Sequence, residues 1–587
     1  MHLCKLHAFR SQSRTSTFPV SEPKNMIQSH HCSARRAGFN RRLLPVVVWS
    51  ALCYGFSPHV SSMDREAFDL FRAALRDRLA TPPTESTLMV PGGEIGTLTS
   101  LIQAYRPLAF EPLWIDETGL NNNGRELLSV LAEAPSHGIS ARRYRLDTLD
   151  HLASGDIAGL SLAGKVAFEL LLTESFLLYA ADLIAGRVDP AQLDPLWVPH
   201  RRIRDLPALL ARTTEQGSRA VIEALTPPHP EYAVLRAELQ RIRNQPGATW
   251  SPIPGERKLA LASQDERVTH LERALNALGY LDTPEDNYYD DATVQAVRAF
   301  QESHGLEADG VAGRKTLTAL NNAHPQRRLR TLELNLERWR WLPDDLGVRH
   351  LRVNVAGFDL RLIDEGRTKL AMSVIVGREA RRSPVISELM TYLVLNPSWN
   401  LPHKIAVQDK LPLIQKDPGL LEKLGYEVYR DWKTDSTPVD PKTIDWSSLG
   451  PGRFPYRLKQ RPGPENALGR IKFMFPNKFA VYLHDTPSRE LFTKSERAFS
   501  SGCIRIERPI DLALALLDDP TWTADTLEAA LKRGTEQVVR LKRPVPVHLL
   551  YWTAWVDNTG TVRFHRDIYG RDKRLDQALQ MADAGQW

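Results

Sequence analysis

The chain has very little cysteine, with four residues among 587, and three of these (Cys4, Cys32 and Cys53) lie in its first 53 positions. If that segment is an export leader, Cys503 is the single thiol that remains, and no internal disulfide is available. A lone thiol outside the cytoplasm is open to oxidation, so its retention favours a chemical role. The alternative is a buried, inert cysteine.

A long apolar run and a strong excess of charge are also missing. Beyond residue 62, no stretch approaches the roughly 18 apolar residues that a membrane helix needs. The net charge of +6 arises in residues 1–62, which hold eight basic residues and one acidic residue, so the remainder is nearly neutral. This distribution argues against a nucleic-acid partner.

Residues 1–62 have the composition of an export leader. Arg41-Arg42 precedes an apolar stretch from Leu43 to Phe56, and small residues at Val60-Ser61-Ser62 suit cleavage. Because the apolar stretch is short for a stable span, we expect a cleaved signal peptide, with an uncleaved anchor as the alternative. Membrane association would then occur only through an uncleaved leader.

Hydrophobic periodicity divides the rest of the chain. Residues 64–245 show helical spacing without a chemical motif, which predicts a helical scaffold. Prolines and glycines indicate a linker at about 245–262. Residues 263–323 predict three helices, the first of which ends with Gly279 in the C′ position.

From residue 349 the apolar positions alternate as they do in strands. We expect a mostly β domain at 349–535, with a helix beginning at Pro509, and a C-terminal hairpin and tail at 536–587. The alternation lapses at 405–465, which we interpret as an inserted lid. The predicted fold is multidomain α+β: an all-α scaffold, a three-helix module and a mostly β domain with an inserted lid subdomain.

The chemistry concentrates around Cys503, which lies in Ser-Ser-Gly-Cys-Ile-Arg, nineteen positions after His484. A thiol is a strong nucleophile only as its thiolate, and a nearby imidazole commonly takes that proton. Gly502 lets a substrate approach the backbone, where amide groups can donate to an oxyanion. The pattern predicts a cysteine acyl-transfer enzyme.

The segment Tyr482–Arg505 resembles the active site of the L,D-transpeptidase family, in which a histidine precedes Ser/Thr-His-Gly-Cys. Ser501 stands where many members have a second histidine; the large Gram-negative branch also uses serine there, which leaves His484 as the sole nearby base. Residues 263–323 resemble the three-helix peptidoglycan-binding module. Other stretches that resemble this branch are residues 176–190, 335–343, 374–378, 391–402 and 461–477.

The resemblance implies a periplasmic enzyme of peptidoglycan synthesis without a cofactor or metal. Cys503 would attack a stem peptide at diaminopimelate, expel D-Ala and form a thioester, from which a second stem would complete a 3–3 cross-link. His484 would serve as general acid/base, the amides of Gly502 and Cys503 as oxyanion donors, and Arg505 as a carboxylate ligand. Donor and acceptor stem peptides are the expected partners, and carbapenems are expected to acylate the cysteine.

Further residues are predicted to line the site or to support it. Asp485 follows His484 directly, and adjacent side chains on a strand point to opposite faces, so we expect it to cap a loop with Thr486 and Ser488 rather than to orient the imidazole. Trp339 and Trp341 are expected to pack. The candidate substrate-binding residues are Tyr482, Phe473, Asn466 and Trp399.

Three other functions stay open. A zinc hydrolase needs closely spaced ligands, whereas the histidines beyond the leader, such as His270, His304, His403 and His484, are scattered. A cell-wall cysteine carboxypeptidase or endopeptidase would use the same thiolate with water as acceptor, but in that class the cysteine usually precedes its histidine. A non-enzymatic glycan-binding scaffold would not need the combination of His484 and Cys503.

Overall fold

The structure is a computed structural model that describes residues 62–80, 88–90, 93–95, 98–198, 201–244, 250–304, 306–433 and 436–583. The predicted leader, except for its last residue, lies outside the described residues. Within these ranges, no helix combines the length and the apolar character needed to cross a membrane.

The N-terminal region is a helical assembly with a buried central helix. Two short strand pairs, β1–β2 (Leu88–Val90 and Gly93–Ile95) and β3–β4 (Ile115–Asp116 and Gly119–Leu120), depart from the all-α expectation. Helix α5 (Leu162–Ala185) is buried on nearly all sides, because apolar residues occur all around it and the neighbouring helices pack against them. The helices α1–α9 span Ser62–Ala80, Leu98–Tyr105, Asn122–Ala132, Leu146–Ala153, Leu162–Ala185, Pro190–Leu193, Leu206–Gln216, Ser218–Glu223 and Pro230–Asn244.

Three helices, α10 (Glu266–Ala277), α11 (Asp291–Ser303) and α12 (Arg314–Ala323), form a module with its own apolar core. Gly279 adopts φ +76°, and Tyr280 N–H donates to Leu275 C=O at 2.9 Å, which confirms the predicted C′ glycine. Helix α13 (Pro325–Arg340) follows directly, and both Trp339 and Trp341 are buried as expected.

The β domain contains one sheet of nine strands, which are β5 (Arg349–Asn354), β6 (Asp359–Asp364), β7 (Arg367–Gly377), β8 (Ile386–Leu395), β12 (Ile471–Met474), β13 (Leu483–His484), β14 (Ala498–Ser500), β15 (Ile504–Ile506) and β16 (Gln537–Leu550). Eight of them form a closed ring in the order β7-β15-β13-β12-β8-β16-β5-β6, in which β6 pairs again with β7. Strand β14 pairs with β7 outside the ring.

Strand β16 lies between β8 and β5, so the sheet continues beyond the predicted domain boundary at 535. That boundary is wrong, because β16 contributes to the same buried core as the strands on either side of it. The C-terminal hairpin is shorter than predicted and consists of β17 (Ala554–Val556) and β18 (Val562–Phe564). The helices α17 (Pro509–Leu517), α18 (Ala524–Lys532) and α19 (Arg571–Asp583) pack on this core.

An insertion at residues 396–470 separates two strands that pair directly. Leu395 at the end of β8 is the register partner of Ile471 at the start of β12. The insertion has an apolar core of its own, and it is wider than the predicted 405–465. It contains β9 (Trp399–Asn400), β10 (Tyr426–Tyr429), β11 (Arg457–Gln460), α14 (His403–Ile405), a π-helical turn at Ala406–Lys410, α15 (Leu411–Lys416) and α16 (Leu420–Lys423).

Candidate active site

Along three neighbouring strands, successive side chains point alternately into the buried core and to the face that carries the site. Because successive side chains point to opposite faces, the positions between buried core residues face the other side of the sheet. Lys472, His484 and Arg505 occupy those positions, and they are register partners across β12, β13 and β15. The residues that point into the core are Ile471, Phe473, Leu483, Ile504 and Ile506.

The two main catalytic candidates come together through the parallel pairing of β13 with β15. His484 lies opposite Arg505, and Ile504 N–H donates to Tyr482 C=O at 3.1 Å. Cys503 therefore stands beside Tyr482, on the same face as His484 and two register positions away. Diagonal neighbours in a sheet have Cα atoms about 7–8 Å apart, which side chains can bridge.

His484 is buried and held in one orientation by a backbone carbonyl. Its Nδ1 lies 2.6 Å from the carbonyl oxygen of Asp485, and a carbonyl can only accept, so Nδ1 carries the proton and Nε2 is left as the basic atom. Burial, followed by the nearby cation of Arg505, lowers the pKa of His484 to about 3. The imidazole is therefore neutral at physiological pH.

The carboxylate of Asp485 points away from the imidazole. It accepts from Arg470 N–H at 2.9 Å and from Arg489 Nη1 at 3.3 Å, so it fixes the turn before β12 instead of capping a loop with Thr486 and Ser488. A triad-acid role for this carboxylate is likewise not supported by its contacts.

The thiol of Cys503 is half-buried among cations and a phenol. Burial raises its pKa, while hydrogen bonds from Tyr482 and the positive charges of Lys472 and Arg505 act in the opposite direction. The group remains a neutral thiol at rest because burial is the largest of these effects. A neutral thiol beside a neutral imidazole favours proton transfer during attack over a resting thiolate–imidazolium pair.

Lys472 belongs to this cluster, although sequence reasoning missed it. Its Nζ lies 4.0 Å from the centroid of the Tyr482 ring, and its charge interacts with Cys503 and with Glu536. Burial lowers the pKa of Lys472. The available signal was a lone basic residue between the core positions 471 and 473 of a predicted strand.

Tyr482 and Trp399 lie at the site, whereas two other substrate-binding candidates do not. The Tyr482 ring lies 5.7 Å from that of His484, and its hydroxyl interacts with both Trp399 and Cys503. Phe473 points into the core, so its prediction is wrong. Asn466 is also misassigned: its buried amide donates to the carbonyls of Pro397 and Arg461, both at 2.9 Å, and thereby ties the ends of the insertion together.

The loop that carries the nucleophile is closed by the Ser500 hydroxyl. This group donates to Cys503 C=O at 2.6 Å and accepts from Gly502 N–H at 3.1 Å. The Gly502 amide is thus engaged and is not a free oxyanion donor in this conformation, contrary to expectation. The Cys503 N–H makes no hydrogen bond to any described residue, so it is the better candidate for that role. Gly502 adopts φ +118°, which favours glycine.

Ser501 connects the nucleophile loop with the insertion through Arg381. Arg381 donates from Nη1 to Ser501 Oγ at 2.9 Å and from Nη2 to Asp409 and Gln408, at 2.9 and 2.8 Å. Asp409 and Gln408 lie in the π-helical turn. The insertion and the loop of Cys503 therefore share one guanidinium.

In the described ranges, no group of three His, Cys, Asp or Glu side chains is clustered closely enough to bind a metal ion.

Comparisons with protein families match three consecutive parts of the chain. Residues 99–239 match the scaffold domain, residues 264–320 match the "Putative peptidoglycan binding domain", and residues 348–547 match the L,D-transpeptidase catalytic domain. The last match contains every member of the cluster around Cys503 and reaches well into β16.

Individual relatives carry related names. The chain is 30% identical over 404 residues to the "Putative L,D-transpeptidase" of Haemophilus influenzae, which covers 65% of this chain and 77% of that protein. It is 33% identical over 116 residues to the N-acetylmuramoyl-L-alanine amidase CwlM of Mycobacterium tuberculosis, covering 18% and 28%. A crystal structure of an L,D-transpeptidase from Xylanimonas cellulosilytica is 17% identical, covers 51% of this chain and 99% of its own, and gives a TM-score of 0.15.

The match to the Haemophilus protein covers more than two thirds of that protein's length, and its 404 residues exceed the catalytic domain alone. With the catalytic match at 348–547, this shows that the chain is an enzyme of the L,D-transpeptidase family.

Proposed function

We propose that this enzyme joins peptidoglycan stem peptides by 3–3 cross-links, through a thioester on Cys503. One observation carries the proposal: the register of β12, β13 and β15 gathers a thiol, a carbonyl-oriented imidazole and two cations on one face of the sheet. This set provides a nucleophile, a base and charge for an anionic substrate.

In the first half-reaction, His484 Nε2 takes the Sγ proton as sulfur attacks the carbonyl carbon of diaminopimelate at stem position three. The C–S bond forms, and the tetrahedral oxyanion accepts a hydrogen bond from Cys503 N–H. The C–N bond to the terminal D-Ala then breaks, and His484 returns its proton to the departing amine. The products are a thioester and free D-Ala.

In the second half-reaction, the side-chain amine of diaminopimelate on another stem attacks the thioester. His484 takes a proton from this amine, the new amide C–N bond forms, and the C–S bond breaks with reprotonation of sulfur. Lys472 and Arg505 hold substrate carboxylates, and their charges stabilise developing negative charge on sulfur.

The insertion favours an amine acceptor over water. Trp399 at its base interacts with the hydroxyl of Tyr482, and Arg381 joins its π-helical turn to Ser501. A covered site excludes bulk water from the thioester, which suppresses hydrolysis. We therefore assign the insertion the role of a lid.

The place of action follows from the substrate. Families that act on and bind peptidoglycan indicate an extracytoplasmic protein. We propose the periplasm, reached through the leader at residues 1–62.

Purified protein incubated with disaccharide-tetrapeptides tests the proposal, with products separated and identified by mass spectrometry. A 3–3 linked dimer and released D-Ala are expected, and Cys503→Ala abolishes both while the melting temperature is unchanged. Tripeptide monomers without dimer would assign the enzyme to the carboxypeptidase class.

A mass increase at Cys503 after carbapenem exposure is expected; an accessible thiol of unchanged mass would contradict the acylation chemistry.

A further inference from the structure

A second cleft lies away from Cys503, between the three-helix module and the β domain. Its volume is about 370 Å³, within the usual range of ligand sites. Its walls come from α12 and α13 on one side, and from the segments around Phe358, Arg497 and Phe564 on the other. Cys503 and His484 do not line it.

Positive charge predominates in this cleft. Its lining contains five cationic side chains and only two acidic ones, Glu256 and Glu496. Glu496 is already paired with Arg566 at 2.9 Å. Arg314 and Lys315, adjacent on the first turn of α12, are exposed and form no ion pair with any described residue.

Two further cations in the lining are partly buried, and neither forms a direct ion pair with a described residue. Arg328 stacks on Phe564, with its guanidinium carbon 5.1 Å from the ring centroid, and its Nε is buried without a hydrogen-bond acceptor among the described residues. Arg497 donates only to backbone carbonyls, those of Val374, Lys494 and Phe358. Carboxylates act on them only through longer-range charge interactions, Glu238 on Arg328 and Glu507 with Asp359 on Arg497. Each guanidinium therefore keeps donor capacity for an anionic ligand in the cleft.

We propose that this cleft binds the acidic stem peptide of peptidoglycan, as a site additional to the catalytic one. The free carboxylates of the stem's glutamate and diaminopimelate residues match the guanidinium groups, which bind carboxylates through paired hydrogen bonds. The apolar faces of Phe358 and Phe564 suit its alanine methyl groups. The choice of stem peptide among acidic peptides rests on the proposed function.

The cleft is connected to the nucleophile by a short piece of chain. Arg497 immediately precedes β14, whose end leads through Ser501 and Gly502 to Cys503. Six residues of fully extended chain span at most about 20 Å. A stem bound in the cleft thus holds its glycan strand close to the nucleophile while another stem reacts.

The test is a binding titration with the full chain carrying Cys503→Ala, so that ligand is not consumed. Three probes are compared: a disaccharide-tetrapeptide, the free tetrapeptide and the disaccharide without peptide. The test variant is Arg314→Glu with Lys315→Glu. The matched control is Lys532→Glu with Arg533→Glu, an exposed pair at the end of α18 that does not line the cleft.

Because the catalytic site also takes stem peptide, the Cys503→Ala chain is expected to bind two equivalents of each peptide-bearing probe. Binding of the equivalent at the cleft should be at least tenfold weaker in the test variant, and its affinity should also fall with added salt. The control pair and the disaccharide alone should show no change. Equal peptide affinity in the test and control variants, or binding that follows the disaccharide, would overturn the proposal. Because binding is measured without turnover, this outcome is independent of whether the enzyme transfers or hydrolyses; a melting temperature verifies folding.

Discussion

Arg381 donates from Nη1 to the hydroxyl of Ser501 and from Nη2 to the carboxylate of Asp409 in the insertion, both at 2.9 Å. The Arg381 side chain is largely buried, so its bonds to Asp409 are partly shielded from water, whereas the bond to Ser501 is exposed. Opening of the insertion would have to break them, which makes the position of the nucleophile loop dependent on the insertion.

Arg381→Gln should therefore lower the rate of dimer formation by about tenfold or more, the equivalent of losing one or two hydrogen bonds to a charged group. The ratio of hydrolysed tripeptide to dimer should rise, because the site is less well closed. Arg378→Gln is the matched control, since Arg378 reaches Asp409 at 3.3 Å but does not bond to Ser501. A similar ratio of tripeptide to dimer in both variants would contradict the proposed coupling between the insertion and the nucleophile loop.

Lys472→Gln should make the thiol harder to ionise. Lys472 lowers the pKa of Cys503 through its charge, so its removal raises that pKa further. The pH at which iodoacetamide alkylates Cys503 at half its maximal rate should move upward, as followed by peptide mass mapping. Lys472→Arg keeps the charge and should move it little; an unchanged profile for the glutamine variant would exclude an electrostatic role.

The pH at which kcat/KM falls on acidification, the acid limb of the profile, should lie far below the usual pKa range of histidine. The neutral imidazole is the active form, and because the pKa of His484 is lowered to about 3, that form persists until the pH falls through this value. Arg505→Gln removes one cause of the shift, so the limb should move toward 6.5 even if the rate also falls. A wild-type limb at 6.5 would show that His484 is more solvated than its contacts indicate.

Gly502→Ala should lower both stability and activity. At φ +118° a side chain is strained, with a cost on the order of 1–3 kcal/mol in the free energy of unfolding. The loop would relax by shifting Cys503, so transfer should fall by more than its stability loss suggests. Gly450→Ala, where a Cβ meets no atom within 4 Å, is the control for urea unfolding and kinetics. Full activity in Gly502→Ala would mean that the strained conformation is dispensable.

Local patterns predicted much of this fold because the signals were themselves local. Gly279 has the positive φ expected of a C′ glycine, and the helix beginning at Pro509 lies where its sequence indicated. The same alternation that identified β12 also contained the information that Phe473 is internal and Lys472 external. The register with β13, which the sequence alone does not give, is what places Lys472 beside His484.

Non-local pairing explains the remaining errors. Strand β16 pairs with strands far away in sequence, so its membership of the sheet has no signal in its own residues. The engagement of the Gly502 amide by Ser500 depends on a side-chain rotamer that a motif does not specify. Asn466 was chosen for its position in a resembling segment, but its hydrogen bonds show a structural role.

The pairing of Leu395 with Ile471 has a consequence for how the chain folds. Two central strands can meet only after residues 396–470 have been looped out, and a long flexible loop makes such closure entropically costly. Since the looped segment has its own apolar core, its prior collapse brings the two strand ends near each other and shortens the effective distance that the chain must search. Swapping this segment between related enzymes should therefore alter refolding rates as well as product choice.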